Sequence, residues 1–395
     1  MFKEVTISDI RVGKEDIGSF STFMKKHINI LNIFYSPTEL GTITFRFLES
    51  EDPNDIEKKI IECYQKWSTR EKTSREDTYT TLSTCCTPKN HKNIADELIE
   101  KKWISFLREH DISLSSHIIK LMEFFDESFK MFFYEVLQKN EMSVVEKQYT
   151  TIIPTYYLEK LNYFSNDPTG LMIATHLNND YSIVEDFKNS IAIEGLSQDI
   201  RPFIDKKITY TLQSAPCLKV YFEHENKEIN NNTVFTVKGL CYRNERKNLH
   251  FLERLINFNM REFVFIGDKK FITEMSVKSV EWSIEWLKLM GISASSVVAD
   301  DPFFIAKNQV DKFDMPEVIK QEIRAEIPHK SDTISIASFD NHGDYFTKTF
   351  NITMNNNKES WTGCIGLGLE RCVWSFLQQY GTDPADWPKN IVGYK

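Results

Sequence analysis

The sequence contains no uninterrupted apolar run near the ~20 residues that a bilayer-spanning helix requires. Even IIKLMEFFDESFKMFFYEVL, from Ile118 to Leu137, is broken by charges at helical spacing. The opening MFKEVTISDIRVGKED lacks the basic-then-apolar layout of a secretory leader. These absences lead to the expectation of a soluble, cytoplasmic protein with no membrane partner. Cysteine is sparse, with seven in 395 residues, which excludes a disulfide-framed scaffold. Cys63, Cys85, Cys86 and Cys372 read as ordinary thiols, since free cysteine behaves as a small hydrophobe. A basic surplus is also missing: 48 Lys and Arg stand against 57 Asp and Glu, a net charge of −9. Phosphate-backbone recognition rests on basic patches, so a nucleic acid is not expected as the main partner. No internal repeat is visible.

What is present is an ordinary globular composition, 41% apolar and 27% charged, and enough length for one large domain and a smaller one. Residues 1–90 read as an accessory unit, with EVTISDIRV and GTITFRFLES alternating as strands and NDIEKKIIECYQKW spaced as a helix. The polar stretch STREKTSREDTYTTLSTCCTPKNHKN reads as a linker or exposed loop. Residues 91–148 are expected to hold that linker's end and two helices, IADELIEKKWISFLREH and SSHIIKLMEFFDESFKMFFYEVLQKN, packed on the downstream part of the chain. From 149 to 395, strands follow one another through short turns without crossover helices. An antiparallel sheet flanked by helices is expected, an α+β fold rather than a doubly wound one.

Two constellations could carry chemistry. In CYRNERKNLHFLERLINFNMREFVFIG, two strand-like pieces flank a charged loop. Arg243 and Glu245 are two apart and share a strand face. The arginine could grip a phosphate bidentately, the acid could accept from an amino group, and Phe258 could stack on a flat base. By composition alone the same stretch could be a surface hairpin with scattered ion pairs. In CIGLGLER, Gly366 and Gly368 would let a ligand lie against the backbone, with Arg371 beyond to cover a base or reach a phosphate. Tight helix–strand packing is the plainer account of those glycines.

A strand with Tyr-Arg-x-Glu, a loop, an aromatic before Arg-Glu, and a late Gly-x-Gly-x-Glu-Arg resembles motifs 2 and 3 of class II aminoacyl-tRNA synthetases. IIPTYYLEKL, with Pro154, sits where motif 1, a dimer-interface segment, would fall. The pieces CYRNE, NFNMREFVFIG, DDPFF and TGCIGLGLER…YGTDPADWP more closely resemble stand-alone amino acid:[carrier protein] ligases. Those ligases are similar to the catalytic core of the atypical, zinc-dependent seryl-tRNA synthetases. The resemblance covers 150–395, extends loosely to about 96, and leaves the first ~90 residues unassigned.

The resemblance implies a class II synthetase-like sheet and ATP-dependent formation of an aminoacyl-adenylate with magnesium on the phosphates. The aminoacyl group would pass to the phosphopantetheine thiol of a carrier protein; a homodimer is expected and a tRNA is not. It implies that Arg243 holds the α-phosphate and the carboxylate, Glu245 reads the adenine amino group or the pyrophosphate side, and Phe258 stacks beneath the base. Arg371 would cover the other face and touch the γ-phosphate, Arg254 would hold the bent triphosphate, and Gly366 and Gly368 would leave room for the ligand. Cys217, Glu262 and Cys364 would hold a zinc ion whose open position takes the substrate amine. Cys241, on the face of Arg243, stays an alternative ligand. Glu326 could lie near magnesium or the amine, Asp301 could support the pocket floor, and His342 lies on an expected pocket strand. Two rivals remain: a seryl-type tRNA synthetase and a non-catalytic, synthetase-like amino-acid sensor.

Overall fold

The structure, a computed structural model, describes 81–108, 111–166, 170–194, 199–205, 207, 209–244, 250–299, 320–355 and 358–391 of the larger unit. In the N-terminal unit it describes 2–7, 32–35, 43–48, 52–68 and the scattered positions 10, 12, 20, 24, 28 and 42. Glu245 and Asp301 lie outside the described residues.

The chain divides into two units after Thr80. In the first, β1 (Phe2–Ile7), β2 (Asn32–Tyr35) and β3 (Ile43–Leu48) form an antiparallel sheet in the order β1-β3-β2. Ile43, Phe45 and Phe47 alternate into its core, as the pleat of a half-buried strand demands. The helix α1 (Pro53–Ser68) offers Ile56 and Ile60 one turn apart to the same cluster.

The second unit is built on a seven-stranded sheet. Its strands are β4 (Val144–Lys147), β5 (Thr233–Tyr242), β6 (Asn257–Gly267), β7 (Ala294–Ala299), β8 (Lys320–Ile327), β9 (Asp332–Gly343) and β10 (Trp361–Gly368). They run β7-β8-β9-β10-β6-β5-β4, with every neighbouring pair antiparallel except β5 and β4. Strand β10 is buried along its whole length, so it forms the middle of the domain.

Three helices cover one face: α2 (Ser116–Lys139), α4 (Lys269–Leu289) and α6 (Leu369–Tyr380). Helix α2 buries Phe125, Phe129, Phe133 and Leu137 at fourfold spacing, and these rings lock onto their neighbours. Phe129 meets Trp286 at 5.0 Å, Phe125 meets Phe376 at 5.3 Å, and Phe133 stacks on Phe263 at 4.6 Å. Each such burial contributes about 2–3 kcal/mol. Helix α4 starts sharply because Asp268 accepts the backbone N–H of Phe271 at 2.8 Å. The other face carries a smaller cluster under α3 (Leu218–Glu223) and α5 (Tyr345–Phe350), where Tyr221 stacks on Phe346 at 4.3 Å.

Two expectations need correction. The described part of the stretch expected as a linker or exposed loop, 81–93, is a loop tied to the sheet and to α6: Ser296 donates to the Leu82 carbonyl at 2.8 Å, and Lys89 and Asn90 both donate to the Gln379 carbonyl at 2.8 Å. The helix expected over 94–110 stops after Ala95–Glu100, because Lys102 takes φ 55 and turns the chain into the hairpin Ile104–Arg108 with Asp111–Leu114. Among the described residues no helix is long and apolar enough to cross a membrane.

Candidate active site

On β6 and β10 the even-numbered residues face away from the three large helices, as do Ser338 and Asp340 on β9. Met260 and Glu262, Ser338 and Asp340, and Cys364, Gly366 and Gly368 therefore share one surface, the floor of a cleft. Two cross-strand rows can be read from the register. One runs Glu322, Ser338, Gly366, Glu262, and the other runs Lys320, Asp340, Cys364.

Arg243 and Arg371, 128 positions apart in sequence, both line this cleft. Arg243 Nε donates to the Ser214 carbonyl at 3.3 Å, and its guanidinium lies 5.1 Å from the centre of the Phe258 ring. Arg371 is braced by the carbonyls of Glu253 at 2.7 Å and Ser335 at 3.1 Å. A backbone brace fixes each stem without neutralising its charge. The ring expected beneath a base thus carries the Arg243 guanidinium on one side.

Cys217, Glu262 and Cys364 come together at the deep end, their ligand atoms all within 4.8 Å of one another. The turn that delivers Cys217 crosses β5 at Gly239. A Cβ there would come within 2.9 Å of the Pro216 ring, so only glycine admits the crossing. Glu262 accepts the backbone N–H of Cys217. Burial pushes its carboxyl up to about 7. The Cys217 thiol is raised well above its usual range, first by its hydrogen bond with Cys364 and then by burial. Among the described residues no lysine or arginine hydrogen-bonds to any of the three. Three buried acidic donors with no hydrogen-bonded cation are costly to ionise, and a divalent ion would let all three do so. Two thiolates and a carboxylate suit zinc, with an open fourth position. Cys241 is buried but lies outside the trio and outside the cleft lining.

Other expected residues fall elsewhere. Glu326 is not in the cleft: it sits at the far end of β8 and accepts from Ser293 Oγ at 3.0 Å, while the acid on the wall is Glu322. Arg254 is absent from the lining, where its neighbours Glu253 and Leu255 stand. Arg261 points to the opposite face, paired with Asp126 at 2.7 Å and Glu146 at 3.1 Å. Gly368 ends β10 against the cleft, where a Cβ would meet nothing closer than the Ile336 carbonyl at 3.6 Å. His342 lines the cleft beside Cys364. Lys320, Glu322, Ser338 and Asp340 were not anticipated from sequence, although their two-residue alternation in apolar strands was the available signal.

The model of the tRNA synthetase class II core domain (G, H, P, S and T) matches residues 204–380, the span that contains the arginines and the buried trio. Residues 204–380 have the class II synthetase fold. The type-2 serine–tRNA ligase of Methanococcus aeolicus is 30% identical over 266 residues, covering 64% of this chain and 50% of that protein. The one from Methanothermobacter thermautotrophicus is 28% identical over 267 residues, covering 66% and 52%. The chain spans about half the length of the curated relatives it matches. M. kandleri SerRS, solved in complex with A. aeolicus tRNASec, superposes over 100% of this chain and 77% of its own with a TM-score of 0.67. At 19% identity that superposition establishes the class II fold.

These findings correct the expected partners. The relatives are named as tRNA ligases and one fold match was solved with a tRNA, which overturns both the carrier protein and the exclusion of tRNA. A net charge reports on solubility and long-range attraction, and it does not reveal how a docking face is charged locally.

Proposed function

We propose that this chain activates serine with ATP as seryl-adenylate and transfers the seryl group to a tRNA. The carrying observation is the convergence of Arg243 and Arg371 on one cleft that ends at Cys217, Glu262 and Cys364.

The first step joins a carboxylate oxygen of the amino acid to the α-phosphorus of ATP and releases pyrophosphate. Both reactants are anions, so their approach is limited by charge repulsion and by orientation. The Arg243 guanidinium bridges the carboxylate and the α-phosphate, and its carbonyl brace means that it need not reorganise as the anhydride forms. Arg371 takes the far end of the triphosphate, whose magnesium arrives with the nucleotide. Cys217, Glu262 and Cys364 would hold zinc, which would supply a Lewis-acid anchor for the substrate amine. Gly366 and Gly368 keep the strand between these groups free of side chains. No protein nucleophile is needed, since the anhydride is itself the activated acyl donor.

Serine is favoured by the relatives' names and by the wall beside the trio. Asp340 Oδ1 is buried, accepts no hydrogen bond among the described residues and lies 3.6 Å from Lys320 Nζ, while Ser338 donates to its other oxygen. A small hydroxyl side chain could donate the hydrogen bond that the Lys320 contact does not supply, whereas a hydrocarbon would leave that bond unmade. The test is to incubate zinc-loaded protein with ATP, labelled serine and total tRNA. Acid-precipitable label that ribonuclease removes supports the proposal, and label that never enters tRNA refutes the transfer step.

A further inference from the structure

His342 occupies an irregular place in β9. Asn341 pairs with Gly363 and Gly343 with Thr362, so His342 is an extra residue without a cross-strand partner. Gly343, at φ 56, supplies the left-handed turn that this bulge requires. A bulge re-aims the side chain it carries, and here that side chain is aimed at the buried trio. Nε2 of His342 lies 3.8 Å from Cys364 Sγ, and Nδ1 lies 3.3 Å from the Tyr221 hydroxyl. Tyr221 belongs to α3, the helix capped by Cys217. The Phe346 ring stands edge-on to the imidazole at 4.8 Å and stacked on Tyr221 at 4.3 Å, holding both planes.

We propose that His342 is a positioning residue for the metal centre, donating its Nε2–H to the Cys364 thiolate while its Nδ1 accepts from Tyr221. The inference rests on the reading of Cys217, Glu262 and Cys364 as a zinc site. The direction of each hydrogen bond comes from the inventory of protons. A zinc-bound thiolate has no proton to give, so the Nε2–Sγ contact can form only with the proton on nitrogen. A neutral imidazole has one such proton, which leaves Nδ1 as acceptor and makes the tyrosine hydroxyl the donor. The chain Cys217–α3–Tyr221–His342–Cys364 thereby ties two ligands from distant segments into one unit. The N–H donor withdraws charge from sulfur, which leaves the metal a stronger Lewis acid toward an incoming amine.

The experiment uses the full chain, with zinc retention measured against a competing chelator and thiolate-to-metal charge-transfer bands recorded on cobalt-substituted protein. Wild type is expected to hold one zinc. His342→Ala should lose about 10–100-fold in affinity and shift the charge-transfer band. Tyr221→Phe, which keeps the ring packing, should shift the band the same way with a smaller loss. His342→Gln, which retains an N–H donor, should recover part of both. Retention and spectra equal to wild type in His342→Ala and Tyr221→Phe would overturn the inference and leave the zinc site standing. Imidazole scattering in zinc X-ray absorption would overturn it too, by making His342 a ligand. A wild-type protein that binds no zinc would remove the metal site itself, and this inference with it.

Discussion

Gly366 stands directly across from Glu262 on neighbouring antiparallel strands, and a Cβ on it would lie 3.3 Å from Glu262 Cγ and 3.4 Å from Oε1. The first glycine of the Gly-x-Gly pair therefore makes room for a side chain of the trio as well as for a ligand. Gly366→Ala should crowd Glu262 at a cost of about 1–3 kcal/mol, or roughly 10–100-fold in zinc affinity. Metal titration checks this. Gly368→Ala, with no contact tighter than 3.6 Å, should bind zinc as wild type does.

The buried carboxyl predicts how the metal-free protein responds to pH. Glu262 is raised to about 7 by burial, above its ordinary value of 4.5. A raised folded-state value means that the contribution to stability is fully present below about 4.5 and is lost as pH climbs through 7. Chelator-treated protein should lose up to about 3 kcal/mol between pH 5 and pH 8 from this group. Glu262→Gln should flatten that slope, and added zinc should reverse it by taking the ionised form. Chemical denaturation at several pH values measures all three.

Behind the sheet, Arg261 and Asp126 form a buried pair that also involves Lys238 and Glu146. Removing Asp126 leaves the buried Arg261 with the more exposed Glu146 as its counter-charge. Asp126→Ala should lower unfolding free energy by about 1–3 kcal/mol while leaving zinc stoichiometry at one per chain in protein that remains folded. Equal stability of variant and wild type would contradict this account of the pair.

The meeting of the arginines, the Gly-x-Gly pair and two of the cysteines on one cleft was legible because they lie in short segments with recognisable neighbours. Glu326 misled because its place depends on register. Register sets Glu322 opposite Ser338 on the wall and Glu326 opposite Thr333 at the strand's end, and that register is not visible in composition. Arg254 misled because loop residues have no period from which to infer direction. The most specific piece of the resemblance, YGTDPADWP, misled about the acceptor for a different reason. Tyr380 donates to the Gly291 carbonyl at 2.7 Å, and Trp387 packs on Phe376 at 5.2 Å. Asp383 caps the Pro384–Asp386 turn through the Ala385 N–H at 2.9 Å. These residues close the end of α6 outside the cleft lining, so they carry information about packing and none about the acyl acceptor.

The unanticipated wall makes a prediction about selection. Asp340→Ala should leave zinc binding intact and reduce discrimination of serine over alanine by about 10–100-fold, the range expected for losing a buried polar partner. Relative kcat/KM in adenylate formation reads the effect. An unchanged ratio would remove Asp340 from substrate selection.

The most direct measurement is pyrophosphate exchange into ATP by the zinc-loaded chain, screened across the amino acids. Serine-dependent exchange is expected, and Arg243→Ala should reduce it by at least about 10²-fold without altering fold or zinc content. Exchange with no amino acid, or exchange that survives the loss of Arg243, would contradict the account.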